Sequence, residues 1–173
     1  MASSGRGEGR TYGGVGSEER RAERRRRLVE AGIRAFGREG FAATTTRSLC
    51  AEAGLTQRYF YEAFDGLESL FLEVCRTLAT QLKEAILAAL ADVPREPEPM
   101  IRAALEAYFR SLEENPDGAR VGLIEAFTVS RSAEMLVRQT IEELAAILQA
   151  TVQSFDHPRP PGDARLLTIG LVG

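Results

Sequence analysis

The residue that most narrows what this chain can fold into is Gly54. It separates two short runs whose apolar residues recur at helical spacing: Leu49, Cys50 and Ala53 before it, Phe60 and Phe64 after it. Thr45 precedes the first run and Thr56 the second, and a threonine hydroxyl there can cap the free N–H groups of a helix start. Glycine ends a helix in left-handed backbone without the steric penalty of a Cβ. Two short helices joined by a tight glycine turn form a helix-turn-helix pattern, with its second helix expected from about Gln57 to Ala63.

The remaining pattern is helical too. Residues 1–17 are small, polar and glycine-rich, and are expected to form a disordered arm because they can bury too little to offset ordering. Ser17, followed by Glu18 and Glu19, reads as the N-cap of a helix running to Glu39. That helix places Leu28, Gly32, Ala35 and Phe36 on one face and ends at Gly40. A long helix is expected from Leu67 to Ala91, with Leu70, Phe71, Val74, Cys75, Leu78, Leu82 and Ile86 along its faces. Further helices are expected over about Pro99–Glu114, Gly118–Phe127 and Ser132–Phe155, with a last one from near Asp163. Asn115-Pro116-Asp117 and the segment His157–Gly162 read as breakers between them. No segment sustains period-2 alternation of β-branched residues, so the fold class is all-α. The expected organisation is the arm 1–17, a three-helix unit over 18–66 and a helical body over 67–173.

Charge is divided along the same line. The chain carries a net charge of −3, yet residues 1–64 hold 12 Arg against 8 acidic residues, and residues 65–173 hold 10 basic against 17 acidic. A basic front end on an acidic body suits a phosphate-facing unit attached to something with another task. Arginine supplies 21 of the 22 basic residues, so most cationic contacts can be planar and bidentate. No apolar run is long enough to span a membrane and no secretory signal is visible, so a cytoplasmic protein is expected. Cys50 and Cys75 lack CxxC spacing, and the single histidine, His157, lies in a proline-rich turn. Neither a metal site nor a cofactor is expected; the cysteines read as buried reduced thiols.

In a helix-turn-helix the first turn of the second helix meets base edges in the major groove. Here that turn reads Thr56-Gln57-Arg58-Tyr59. Gln57 can pair with adenine and Arg58 with guanine, each through two hydrogen bonds. The hydroxyls of Thr45, Thr46, Thr56 and Tyr61 suit phosphate oxygens, and Arg47 can reach a phosphate or a groove edge. Tyr59 and Tyr61 can equally be rim aromatics over a small core. The arginines from Arg20 to Arg27 read either as a phosphate-binding arm or as a solvated face paired with Glu18, Glu19 and Glu23.

From Arg27 to Leu70 the chain resembles the TetR family DNA-binding domain. Phe36-Gly37-Arg38-Glu39-Gly40-Phe41 is similar to the aromatic and glycine sequence that closes that family's first helix. Thr44-Thr45-Thr46-Arg47-Ser48-Leu49 resembles the opening of its second helix, and Ala53-Gly54-Leu55-Thr56 its turn. Tyr61 and Phe64 resemble the tyrosine and phenylalanine that close its recognition helix. Arg58 stands where the family usually has Gly, and Leu67 where it usually has Lys.

The resemblance implies a one-component transcriptional repressor, a homodimer on palindromic operator DNA, released by a small apolar effector. The candidate effector pocket comprises Phe71, Cys75, Tyr108, Phe109, Leu112, Phe127, Met135 and Gln139. The same residues at helical spacing could be plain core. Dimer pairing is implied for the last two helices, and the apolar segment Arg165–Gly173 suggests that the chain stops short of them. No catalytic constellation is visible, which disfavours the rival reading of an all-α enzyme. A helical scaffold or adaptor would call for an apolar or acidic recognition face, against Gln57, Arg58 and Tyr59 here.

Overall fold

A computed structural model describes residues 12–153. Its elements are α1 (Tyr12–Arg38), α2 (Thr46–Ala53), α3 (Gln57–Ala63), α4 (Leu67–Ala91), α5 (Pro97–Glu114), α6 (Pro116–Arg120), a π turn (Val121–Glu125), α7 (Ala126–Val129) and α8 (Arg131–Gln153). The described residues are helices and short connections, with no strand among them. The helix expected from near Asp163, His157 and the segment Arg165–Gly173 lie outside the described residues, as does most of the arm.

Three helix starts differ from the sequence-based expectation. The chain is helical from Tyr12, so Ser17 lies inside α1 and is not its N-cap. Gly13, Gly14 and Gly16 each cost about 1 kcal/mol against alanine in a helix. Extending a helix that already exists nevertheless avoids the larger cost of nucleating one. Ion pairs from Arg26 to Glu23 and Glu30 support the exposed side of that helix. The second difference is at Asn115-Pro116-Asp117, which breaks the chain at Asn115 as expected but already begins α6 at Pro116, two residues before Gly118. The Asn115 side chain accepts a hydrogen bond from the Gly118 N–H at 2.9 Å, and Pro116 fills the first helical position, where no N–H is needed. Pro97 likewise opens α5 two residues before the expected Pro99.

One core joins the helix-turn-helix to the body. Leu28, Phe36, Leu49, Phe60, Leu70, Phe71 and Val74 are fully buried together, and Val121, Ala126 and Ala133 close the same cluster from the far side. Phe36, Phe41 and Phe71 meet as an aromatic trio with ring centroids 5.2–5.5 Å apart. A second core lies further along α4, where Ile86 packs on Ala104, Ala107 and Leu144. The Lys83 ammonium bonds Glu143 at 2.5 Å and ties α4 to α8. That bond, helped by the Gln139 amide, holds the Glu143 carboxyl below the usual carboxylate range.

The end of α1 is seated on α6 and the π turn. A Cβ on Gly37 would stand 2.5 Å from the Asp117 Cα and carbonyl oxygen, so only glycine permits this approach of backbones. Arg38 pairs with Asp117 at 3.0 Å, and the Phe41 N–H donates to the Glu125 carboxylate at 3.0 Å. The π turn therefore bears directly on the loop that leads into α2.

Candidate nucleic-acid interface

Local chemistry shapes α2 and α3. Thr45 Oγ1 accepts from the Ser48 N–H at 3.1 Å, and Ser48 Oγ accepts in return from the Thr45 N–H at 3.1 Å. This reciprocal cap fixes where α2 starts. Gly54, at φ +62°, ends it in left-handed backbone. Thr56 takes the N-cap backbone conformation of α3 but its hydroxyl makes no capping hydrogen bond. Phe60 and Phe64 pin α3 to the core.

Arginines of α1 brace the motif. Arg27 Nη2 donates to the Ala53 carbonyl at 2.6 Å, satisfying an orphan acceptor at the end of α2. Arg25 does more. It donates to the Ala63 carbonyl at 2.9 Å, lies over the Phe64 ring at 4.3 Å and pairs with Glu73 of α4 at 3.1 Å. One guanidinium thus holds the end of α3 against both α1 and α4. Arg24 stacks over the Tyr59 ring at 4.5 Å. Sequence reasoning missed these roles, because the partners stand tens of residues away and no local spacing announces them.

What remains outward is the predicted reading surface. Gln57, Arg58, Tyr59 and Tyr61 are exposed on α3, with the Arg58 side chain 84% exposed. Thr45 and Arg47 are exposed at the start of α2, Thr56 before α3, and Thr46 is half-buried. Arg47 forms no ion pair among the described residues, so its charge is open to solvent. Tyr61 is 60% exposed, its ring edge against Phe60, so its hydroxyl stands free of the core. Arg58 Nε donates to Glu62 Oε1 at 2.9 Å, one helical turn along α3. The i, i+4 spacing made that contact legible in the sequence, although Glu62 was not among the predicted site residues. Leu67 is half-buried against the core and presents no cation.

The body holds a cavity of about 330 Å³ between α4, α5, α6 with its π turn, and α8. Of the residues predicted to line it, Cys75, Tyr108 and Leu112 do. Phe71 belongs to the aromatic trio beneath α1. Phe109, Phe127 and Met135 are exposed and outside the cavity walls, as is Gln139, whose amide bonds Glu143 at 2.9 Å. The remaining wall is largely aliphatic, with Leu78 and Leu82 from α4 facing Leu136, Val137 and Ile141 from α8. Gly122 and Leu123 of the π turn close one side. Burial pushes the Cys75 thiol up to about 12, so it is a neutral wall element. Among the described residues no cluster of side chains could hold a metal ion, and no helix is long and apolar enough to cross a membrane.

Comparison with known proteins agrees with this geometry. The HTH-type transcriptional regulator YerO of Bacillus subtilis is 29% identical over 98 residues, which cover 55% of this chain and 33% of YerO. The HTH-type transcriptional regulator BetI of Agrobacterium fabrum is 28% identical over 150 residues, 85% of this chain and 70% of BetI. The chain thus spans a third of the length of one curated relative and 70% of the other. The solved structure of the fatty acid degradation regulator FadR from Bacillus halodurans has the same fold. It superposes with a TM-score of 0.77 at 12% identity, over 86% of this chain and 78% of FadR. Residues 28–74, from the buried face of α1 through α2 and α3 into α4, match the bacterial regulatory proteins of the tetR family, so this part of the chain is a domain of that family.

Proposed function

We propose that this chain is a transcriptional regulator that binds a palindromic operator as a homodimer, represses from it and lets go when an apolar small molecule occupies the body. The observation that carries the DNA-binding part is the outward face of α3. Gln57, Arg58 and Tyr61 stand in solvent on a helix held from behind by Phe60, Phe64 and Arg25. Such a face offers donors to base edges from a rigid mount, and rigidity keeps the ordering cost of binding low. Thr45, Thr46, Arg47, Thr56 and Tyr59 flank it as phosphate and groove-edge contacts.

The effector part is supported by the cavity and by its link to α1. Gly122 and Leu123 line the cavity, and Glu125 of the same π turn accepts the Phe41 N–H. A molecule that repositions this turn shifts the end of α1, on which α2 and α3 are mounted. It weakens operator binding only as far as it prefers the misaligned arrangement. For a two-fold dimer, the two α3 helices must sit roughly 34–36 Å apart to enter successive major grooves.

Selection of bound sequences from random duplex DNA with the full chain tests the reading. A palindromic consensus with half-sites about one helical turn apart is the expected result. Recovery of unselected sequence overturns it. Titration of the selected duplex with a panel of apolar and amphipathic small molecules then tests release.

A further inference from the structure

We propose that Glu62 is a positioning residue that sets Arg58 to read one guanine in each operator half-site. The inference rests on the DNA-binding reading above and adds a source of specificity to it. At about 100° per residue of α-helix, Arg58 and Glu62 both project about 160° from the buried Phe60, on opposite sides of the outermost line of α3. That line is the part of a recognition helix that goes deepest into a groove. The two side chains meet there through a single bond, Arg58 Nε to Glu62 Oε1 at 2.9 Å.

Which nitrogen is used decides what is left over. A guanidinium is flat, and its end edge carries two parallel N–H donors from the two Nη atoms. With Nε occupied by Glu62, that end edge remains free, and it is the edge whose spacing matches O6 and N7 of guanine. A long arginine side chain in solvent samples many rotamers, and fixing one before binding lowers the ordering loss. Glu62 also lays a negative charge along the outermost face, which disfavours indiscriminate approach to phosphates. Its effect is therefore opposite on the two kinds of binding: it favours the guanine-bearing site and disfavours arbitrary duplex.

The opposite reading of the same contact is sequestration, in which Glu62 holds Arg58 back from DNA. The experiment separates the two. Consensus selection and affinity for single-base variants of the consensus duplex are measured for the full chain and for Arg58→Ala, Glu62→Ala and Glu62→Gln. The pair is exposed, so folding changes little in any of these variants. The expected result is that Arg58→Ala abolishes preference for one guanine, and Glu62→Ala weakens that same preference by about fivefold or more. Glu62→Ala should at the same time tighten binding to random duplex. Glu62→Gln keeps an acceptor for Nε and should restore much of the guanine preference. Replacement of that guanine by 7-deazaguanine, which lacks the N7 acceptor, should cost the wild-type chain more than Glu62→Ala. An unchanged or stronger guanine preference in Glu62→Ala overturns the positioning role while leaving DNA binding intact. A consensus without an Arg58-dependent guanine overturns it as well, and absence of any consensus overturns the DNA-binding reading with it.

Discussion

The backbone N–H of Phe41 and the carboxylate of Glu125 form a hydrogen bond of 3.0 Å between groups 84 residues apart. Phe41 lies in the loop from α1 to α2, and Glu125 in the π turn whose Gly122 and Leu123 border the cavity. The Glu125 side chain is only 12% exposed and has Arg120 at 3.4 Å. Glu125→Ala leaves the Phe41 N–H without this acceptor, which should cost about 1–3 kcal/mol of folding stability. Glu125→Gln retains an acceptor and should lose less. Urea unfolding followed by circular dichroism measures both, and equal losses would show that charge rather than the hydrogen bond matters.

Gly37 makes a sharper test of the same seam. Its absent Cβ leaves room for the Asp117 backbone, so Gly37→Ala must push α6 away from α1. Overpacking of this kind costs about 1–3 kcal/mol. Gly122→Ala is the control, since a Cβ there meets nothing within 4 Å. The melting temperature should fall for the first and hold for the second.

Base reading and backbone contact separate at neighbouring positions of α3. Arg58→Ala should cost about 1–3 kcal/mol at one base position and relax specificity there. Tyr61→Phe removes an exposed hydroxyl and should weaken all sequences about equally. Competition binding against single-base variants of the selected site gives both profiles. Uniform losses for Arg58→Ala would place that side chain on the backbone instead.

The arginines of α1 should divide by position. Arg20 and Arg21 are exposed and form no ion pair among the described residues, so they are available to phosphates. Each phosphate contact contributes about 0.9 to the slope of log K against log salt. Replacing both by alanine should flatten that slope and leave the melting temperature unchanged. Arg25→Ala and Arg27→Ala should lower the melting temperature, because each removes a donor from a helix-end carbonyl.

Cys75 gives a prediction in pH. Its thiol is pushed from 9.0 up to about 12 by burial, so ionisation favours the unfolded chain. Stability from this group is complete below about 9 and is lost as pH rises toward about 12. At pH 8 the native thiolate fraction is on the order of 10⁻⁴, so alkylation should be slow until urea unfolds the chain. Rapid modification of the native protein at pH 8 would show that the cavity wall opens to solvent.

Residues 18–66 as a DNA-binding unit and 67 onward as an effector unit remain our proposed division, though packing is continuous across it. Phe71 of α4 fills the core under α1 as completely as Phe36 does. The same phenylalanine is a candidate cavity residue on the family resemblance, and spacing alone leaves it equally a core residue. The helix has apolar residues on more than one side, and spacing does not say which side meets which neighbour.

Elements whose chemistry is local were legible in the order of the residues. Thr45 and Ser48 are three residues apart and cap each other, Gly54 carries its own turn, and Arg58 is outward because Phe60, two residues on, is inward. Helical periodicity encodes such relations within a turn or two. The rest follows from how the helices pack. That packing put Phe109, Phe127 and Met135 in solvent, made Leu136 and Ile141 the cavity wall, and brought Arg25 to Ala63 and Glu73. Those outcomes depend on how α4, α5 and α8 are rotated and stacked against one another. That arrangement is a property of the assembled core, to which each helix contributes a face without specifying its partner.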